Sequence, residues 1–414
     1  MLQVWRSATD VPGWLKVLLV GQMVSSAGSL AWIYLTLYLV DSRGMSPAQA
    51  GLVAAAFGAG TLGGNLVGGW LGDRFGLALA AVLTKSAAAV AIALMPFAAT
   101  SWLAVVALLA GAIGGASRPI TSALVALSLP KEKRREGIAL SRSASNAGFT
   151  IGPPLGGLLA AYNFDLVFVL DGGTSLLMAA LIWWKVPRTG HLVRGLGVRV
   201  TGVRRALGQQ PSILVLLMAV VVVDTAYRQI FTSLPLLLSD TGAPAVAYGT
   251  LIAISSVIIV LLETPLAVWL GQHSALSVVA IGFALVGAGL AAIGLWPALG
   301  GAVIAMVVIT AGEMLYKPTA TAHVADAAPD GMTGRFSSLY AAASISGTML
   351  APALGGPAYE HAPRLIWPVA ALAALAAAAW VWSARAGVAT DGSAPSGSGN
   401  PLALADGSDS VGRG

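Results

Sequence analysis

Runs of about twenty predominantly apolar residues follow one another from residue 14 to residue 384, separated by short polar breaks. Each is long enough for a helix to cross the roughly 30 Å of a bilayer's hydrocarbon core. In hydrocarbon the backbone amides must be paired within the chain, and a helix does this inside one segment. Charge decides between lipid and a water-facing surface. Only 10% of the residues are Asp, Glu, Lys or Arg, against about 25% in soluble domains. The chain reads as an all-α membrane protein.

Cutting at turn residues and charges gives twelve spans, near 14–40, 47–71, 78–99, 101–129, 138–162, 165–186, 211–239, 246–270, 275–296, 299–322, 334–358 and 364–384. Gly and Pro interrupt the fourth, fifth and eleventh. The first run is too long for the apolar core of a signal peptide and is expected to stay as a span. Cysteine is absent, which excludes disulfides and thiolate chemistry. Trp102, Trp183, Trp184, Trp296, Trp367 and Trp380 fall near span ends, as an interfacial belt requires.

The bases collect on one side of the spans. Lys131, Lys133, Arg134 and Arg135 lie between spans four and five, and Arg188, Arg194, Arg199, Arg204 and Arg205 between six and seven. Arg6, Arg74, Arg335 and Arg385 flank the same side, whereas Arg43 and Arg364 lie on the other. By the positive-inside rule both termini are cytoplasmic, in a multi-pass protein of the cell membrane. Short basic loops, rather than one basic surface, account for the net charge of +6 without nucleic-acid binding.

Landmarks recur 199 residues apart. Trp70-Leu71-Gly72 returns as Trp269-Leu270-Gly271, Arg118-Pro119 as Lys317-Pro318, and Asp41 as Asp240. Pro153, Gly156 and Gly157 return as Pro352, Gly355 and Gly356. One such match in a Gly- and Ala-rich chain means little, but four in one register mark a duplication. The expected organisation is a six-helix half over 1–186, a basic cytoplasmic linker over 187–210, a second half over 211–386 and a disordered tail over 387–414. An even number of spans gives both halves the same orientation, with a site at their interface near mid-membrane.

The stretch Gly69-x-Leu71-Gly72-Asp73-Arg74-x-Gly76 resembles the signature loop of the major facilitator superfamily. Gly148-x-x-x-Gly152-Pro153-x-x-Gly156-Gly157 on span five resembles the motif of that family's proton-coupled drug and metabolite antiporters. The stretches "YRQIFTSLPLLL" and "GEMLYKPTATAHVADAAP" are similar to bacterial exporters of the group. The resemblance spans residues 14–385. It departs after Gly76, where Leu77 and Ala78 replace the usual bases, and on span four, where Ala104 to Gly115 lacks the family's arginine. It implies that Asp73 caps a helix of the second half when the cytoplasmic side is closed, and that the span-five motif seals the halves during exchange.

Ionisable groups inside spans are expensive unless they face a cavity or a partner, so they point to a site. Arg118 stands on span four, Asp224 and Arg228 on span seven, and Glu313 and Lys317 on span ten. Both acids have a base four residues on, within reach on one helix face. Asp224, Arg228, Glu313, Lys317 and Arg118 are the candidates for proton or substrate binding, with Gln22 as a neutral polar group on span one. Glu263, near the cytoplasmic end of span eight, is a candidate gate; Asp171 reads as solvated near the outer surface.

No catalytic serine elbow, His-Glu-x-x-His or phosphate-binding loop occurs, and the four His are scattered, so neither an enzyme nor an ATP-driven pump is indicated. No cofactor or metal is expected. The expected function is export of a small organic compound, a drug or metabolite, by proton antiport with alternating access, from a fold that needs no partner subunit. The alternative is a proton-independent facilitator or importer of a small solute.

Overall fold

The computed structural model describes residues 12–127, 129, 134–186, 207, 208, 210–270, 273–329 and 332–391. Most of the linker and residues 392–414 lie outside them. The described residues form helices and no strand. The first half comprises α1 (Gly13–Gly28), α2 (Ala31–Asp41), α3 (Pro47–Phe75), α4 (Leu77–Ala93), α5 (Leu103–Leu127), α6 (Arg134–Tyr162) and α7 (Asp165–Lys185). The second comprises α8 (Pro211–Tyr227), α9 (Gln229–Asp240), α10 (Ala245–Leu270), α11 (Ala275–Leu295), α12 (Leu299–Asp326), α13 (Thr333–His361) and α14 (Ile366–Asp391).

Taken end to end, α1 with α2 and α8 with α9 each make one crossing, giving twelve rods in two six-rod halves. The repeat survives in three dimensions: α13 begins and ends 199 residues after α6. Ten rods are long and apolar enough to cross a membrane. The other two, α6 and α13, carry the Gly-Pro stretches and pack across the junction of the halves, where lipid does not demand an apolar surface.

Two expectations about continuity are corrected. Spans four, five and eleven are not interrupted: α5, α6 and α13 run through Pro119, through Pro153 and Pro154, and through Pro352 and Pro357. The breaks fall instead in the first and seventh rods, between Gly28 and Ala31 and at Arg228. At the first break the freed amide of Ala31 donates to Asp171 Oδ2 of α7 at 2.9 Å. An unpaired amide at this depth costs several kcal/mol, and this carboxylate supplies the acceptor. Asp171 is thus buried, at 3% exposure, rather than solvated. Helix α14 also extends five residues into the stretch read as tail.

Of the six tryptophans expected at the interface, Trp102, Trp183, Trp184, Trp296 and Trp380 are about half exposed or more, but Trp367 is buried at 1% in the second half. Arg43, a base on the side expected to be poor in them, is held by the carbonyls of Pro96 and Ala98 at 2.8 and 2.7 Å.

The halves meet along two seams on the face that carries the 42–46, 163–164, 241–244 and 362–365 turns. In one, α3 lies against α13: a Cβ at Gly51 would stand 2.8 Å from Gly356 Cα, and one at Gly58 2.7 Å from Met349 N. In the other, α6 lies against α10, with Gly157 similarly 2.6 Å from Val246 Cα. Small residues permit this backbone approach, and close packing drives helix association in lipid. Glu360, from the end of α13, accepts from Ser46 Oγ at 2.5 Å and Ala48 N at 2.9 Å, covering the amino end of α3. A carboxylate there meets unpaired amides and the favourable end of the helix dipole.

Candidate functional site

Between the halves lies a cavity of about 590 Å³. The two seams close one end, and its lining extends towards the opposite, basic face as far as Ser122 and Arg142. The shallow closed end is aromatic: Trp32 packs on Phe231 with ring centroids 4.8 Å apart and on Phe149 at 6.4 Å.

The i, i+4 spacing of the acids and bases produces the ion pairs that it predicts. Arg228 Nε donates to Asp224 Oδ2 at 2.6 Å, and Lys317 Nζ to Glu313 Oε1 at 2.6 Å. Tyr227, the chain neighbour of Arg228, contacts the second pair: its hydroxyl donates to Glu313 Oε2 at 2.9 Å and its ring lies 4.4 Å from Lys317 Nζ. Asp224 is fully buried, and its Oδ1 has no partner among the described residues. The carboxylate packs against Gly347, where a Cβ would come within 2.5 Å of Oδ2. Arg228 stands at the break between α8 and α9, so a helix interruption and an ion pair coincide at one residue.

In the first half, Gln22 donates to Ser145 Oγ at 3.1 Å, and its Oε1 is buried without a partner among the described residues. Arg118 reaches the cavity from α5. Lys85 and Asp171 line it as well, with Lys85 Nζ 3.4 Å from Ser25 Oγ. Neither these two nor Tyr227 is among the sequence candidates. Lys85 was open to detection, being the single charge in the apolar run of α4. The side chain of Glu263 lies outside the described residues.

The loop motif stands apart from this site. Gly76 turns the chain between α3 and α4 at φ 80°, a conformation that favours glycine. Arg74 lies over the Trp70 and Phe75 rings at 5.3 and 5.9 Å. Among the described residues no hydrogen bond or ion pair joins Gly69–Gly76 to the second half. The span-five motif, by contrast, is engaged. A Cβ at Gly148 would fall 2.8 Å from Ala27 N, and one at Gly152 2.9 Å from Ala27 Cα, which holds α6 to α1. Gly156 faces Tyr34, whose hydroxyl donates to Pro153 O at 2.6 Å, and Gly157 reaches across to α10.

A family model described as the Major Facilitator Superfamily matches residues 17–352. The chain belongs to the major facilitator superfamily. It is a multi-pass membrane transporter and not an enzyme. It is 26% identical over 359 residues to the uncharacterized MFS-type transporter YttB of Bacillus subtilis (strain 168), covering 85% of this chain and 89% of that one. It is 24% identical to a Na(+), Li(+), K(+)/H(+) antiporter of Planococcus maritimus, covering 82% and 88%. Multidrug resistance protein MdtH of Escherichia coli is 26% identical over 240 residues, 58% of this chain and 59% of that one. The fold is shared with a solved POT family transporter in complex with 5-aminolevulinic acid, at a TM-score of 0.74 and 14% identity, covering 90% of this chain and 96% of that one.

Proposed function

We propose that this facilitator-superfamily member is a proton-coupled exporter of a small organic compound, a drug or metabolite. In this reading it lies in the cell membrane with its basic face and both termini in the cytoplasm. The observation that carries the proposal is the two acid–base pairs of the second half, Glu313–Lys317 with Tyr227 on the wall of the cavity between the halves and Asp224 buried behind Arg228. A proton taken by either carboxylate frees its base and changes the cavity's charge by one. Proton loading and solute loading therefore depend on each other. The names of the Planococcus antiporter and the Escherichia multidrug protein agree with antiport and with export.

In this conformation the cavity faces the cytoplasm. Parting of the α3–α13 and α6–α10 seams, with closure of the basic face, would carry it to the other side. Asp73 then reaches a helix end in the second half, and the span-five motif seals the junction.

The test is purified protein in liposomes with a pH-sensitive dye inside, screened against small organic compounds. Wild type is expected to give solute-evoked proton movement, and Asp224→Asn and Glu313→Gln to lose most of it while remaining folded. Solute movement that generates no proton signal in any of the three proteins would overturn antiport and leave the facilitator reading. Proton coupling that survives both substitutions would remove these acids from the path.

A further inference from the structure

The charges of the cavity do not balance. Among the described residues its wall carries five bases, Lys85, Arg118, Arg142, Arg228 and Lys317, against Asp171, Glu313 and, directly behind Arg228, Asp224. Two of the bases are held by the acids four residues before them. Lys85 lies near enough to Asp171 for the two charges to act on each other, and Arg142 has a partner of its own. Arg118 differs. It is exposed into the cavity and makes no hydrogen bond or ion pair among the described residues. The charges that act on it are both positive: Arg228 from the other half, and Lys85.

A guanidinium at this depth is costly without a counter-charge. Its planar fork of donors matches a carboxylate in two parallel hydrogen bonds. The closed end of the same cavity offers the Trp32, Phe149 and Phe231 rings, and Trp32 Nε1 is a buried donor with no partner among the described residues. Planar apolar groups stack on such rings, and a buried indole N–H ordinarily finds an acceptor.

We propose that the solute is a monovalent organic anion with an aromatic body, its carboxylate held by Arg118 and its rings seated against Trp32, Phe149 and Phe231. The proposal rests on the reading of the cavity as the transport site, and it separates this protein from an exporter of lipophilic cations. It also gives the solute a part in the motion. Closure of the basic face brings Arg118 and Arg228 together, and an anion between them offsets their repulsion. Empty protein therefore resists closing on that side.

The experiment is equilibrium binding to purified protein in nanodiscs, without a proton gradient. The probes are benzoate, 1-naphthoate and indole-3-acetate, each beside its primary amide, with rhodamine 6G as a planar cation. Carboxylates are expected to bind at least tenfold more tightly than their amides, the ratio falling to near one in Arg118→Gln and largely kept in Arg118→Lys. Amides or rhodamine 6G binding as well as the carboxylates would overturn the proposal. So would a carboxylate preference untouched in Arg118→Gln, or no carboxylate binding at millimolar concentration. Because no proton flux enters this readout, its failure is distinguishable from failure of antiport.

Discussion

Replacing Gly58 by leucine is expected to abolish most transport while leaving the protein folded. The added Cβ alone would stand 2.5 Å from the carbonyl carbon of Thr348 and 2.7 Å from Met349 N. These are backbone atoms of α13, which cannot turn aside as a side chain can. The strain is relieved when α3 and α13 separate, so the conformation described here is penalised and the one opened on this face is not. Overpacking of a close contact costs about 1–3 kcal/mol, which moves a two-state equilibrium by roughly 5- to 150-fold. The chain lacks cysteine, so a single Cys at Ala50, fully buried in α3 next to Gly51, reports the change. Its labelling by a membrane-impermeant maleimide should accelerate at least tenfold in Gly58→Leu. Gly63→Leu is the control on the same helix, because nothing lies within 4 Å of a Cβ there. Equal labelling and transport loss in both variants would show that helix damage, not seam separation, is responsible.

The second large effect is expected at Asp224. Its carboxylate is fully buried and holds Arg228, itself 19% exposed, at 2.6 Å. Removing one partner of a buried pair leaves the other charged and uncompensated, at about 3–5 kcal/mol. Arg228→Gln should therefore lower thermal stability strongly, since it leaves an ionised carboxylate against Gly347. Asp224→Asn should lower it less, because Arg228 keeps an outlet into the cavity. The double variant Asp224→Asn with Arg228→Gln should recover much of the loss. A double-mutant cycle isolates the coupling, which for groups in contact runs to about 0.5–3 kcal/mol. Strictly additive losses would mean that the pair does not act as a unit.

The architecture was largely legible in the sequence, because lipid imposes length and apolarity on every span and duplication leaves a fixed register. The 199-residue offset between Pro153 and Pro352 returns as equal bounds for α6 and α13. The ion pairs were legible for a local reason: four residues on a helix bring side chains together whatever the fold. What remained hidden depends on neighbours distant in sequence. Asp171 stands near the start of α7, and position alone suggests solvent; only the break in the first rod, 140 residues earlier, supplies the amide that buries it. Tyr227 became part of the site only when α12 brought Glu313 to its hydroxyl, 86 residues away. The prolines misled because they were read as breaks, whereas α5, α6 and α13 are held through them by packing against neighbouring helices.

The account rests on two halves that rock about a cavity, and distances across both faces measure this directly. Spin labels on cysteines at Ser122 and Thr321, repeat mates 199 residues apart on the basic side of α5 and α12, report one face. Labels at Asn163 and Thr241, in turns of the two halves on the sealed face, report the other. Addition of solute under a proton gradient is expected to shorten the first distance in a fraction of molecules and lengthen the second in the same fraction. Both faces opening together, or neither distance moving while solute is transported, would contradict it.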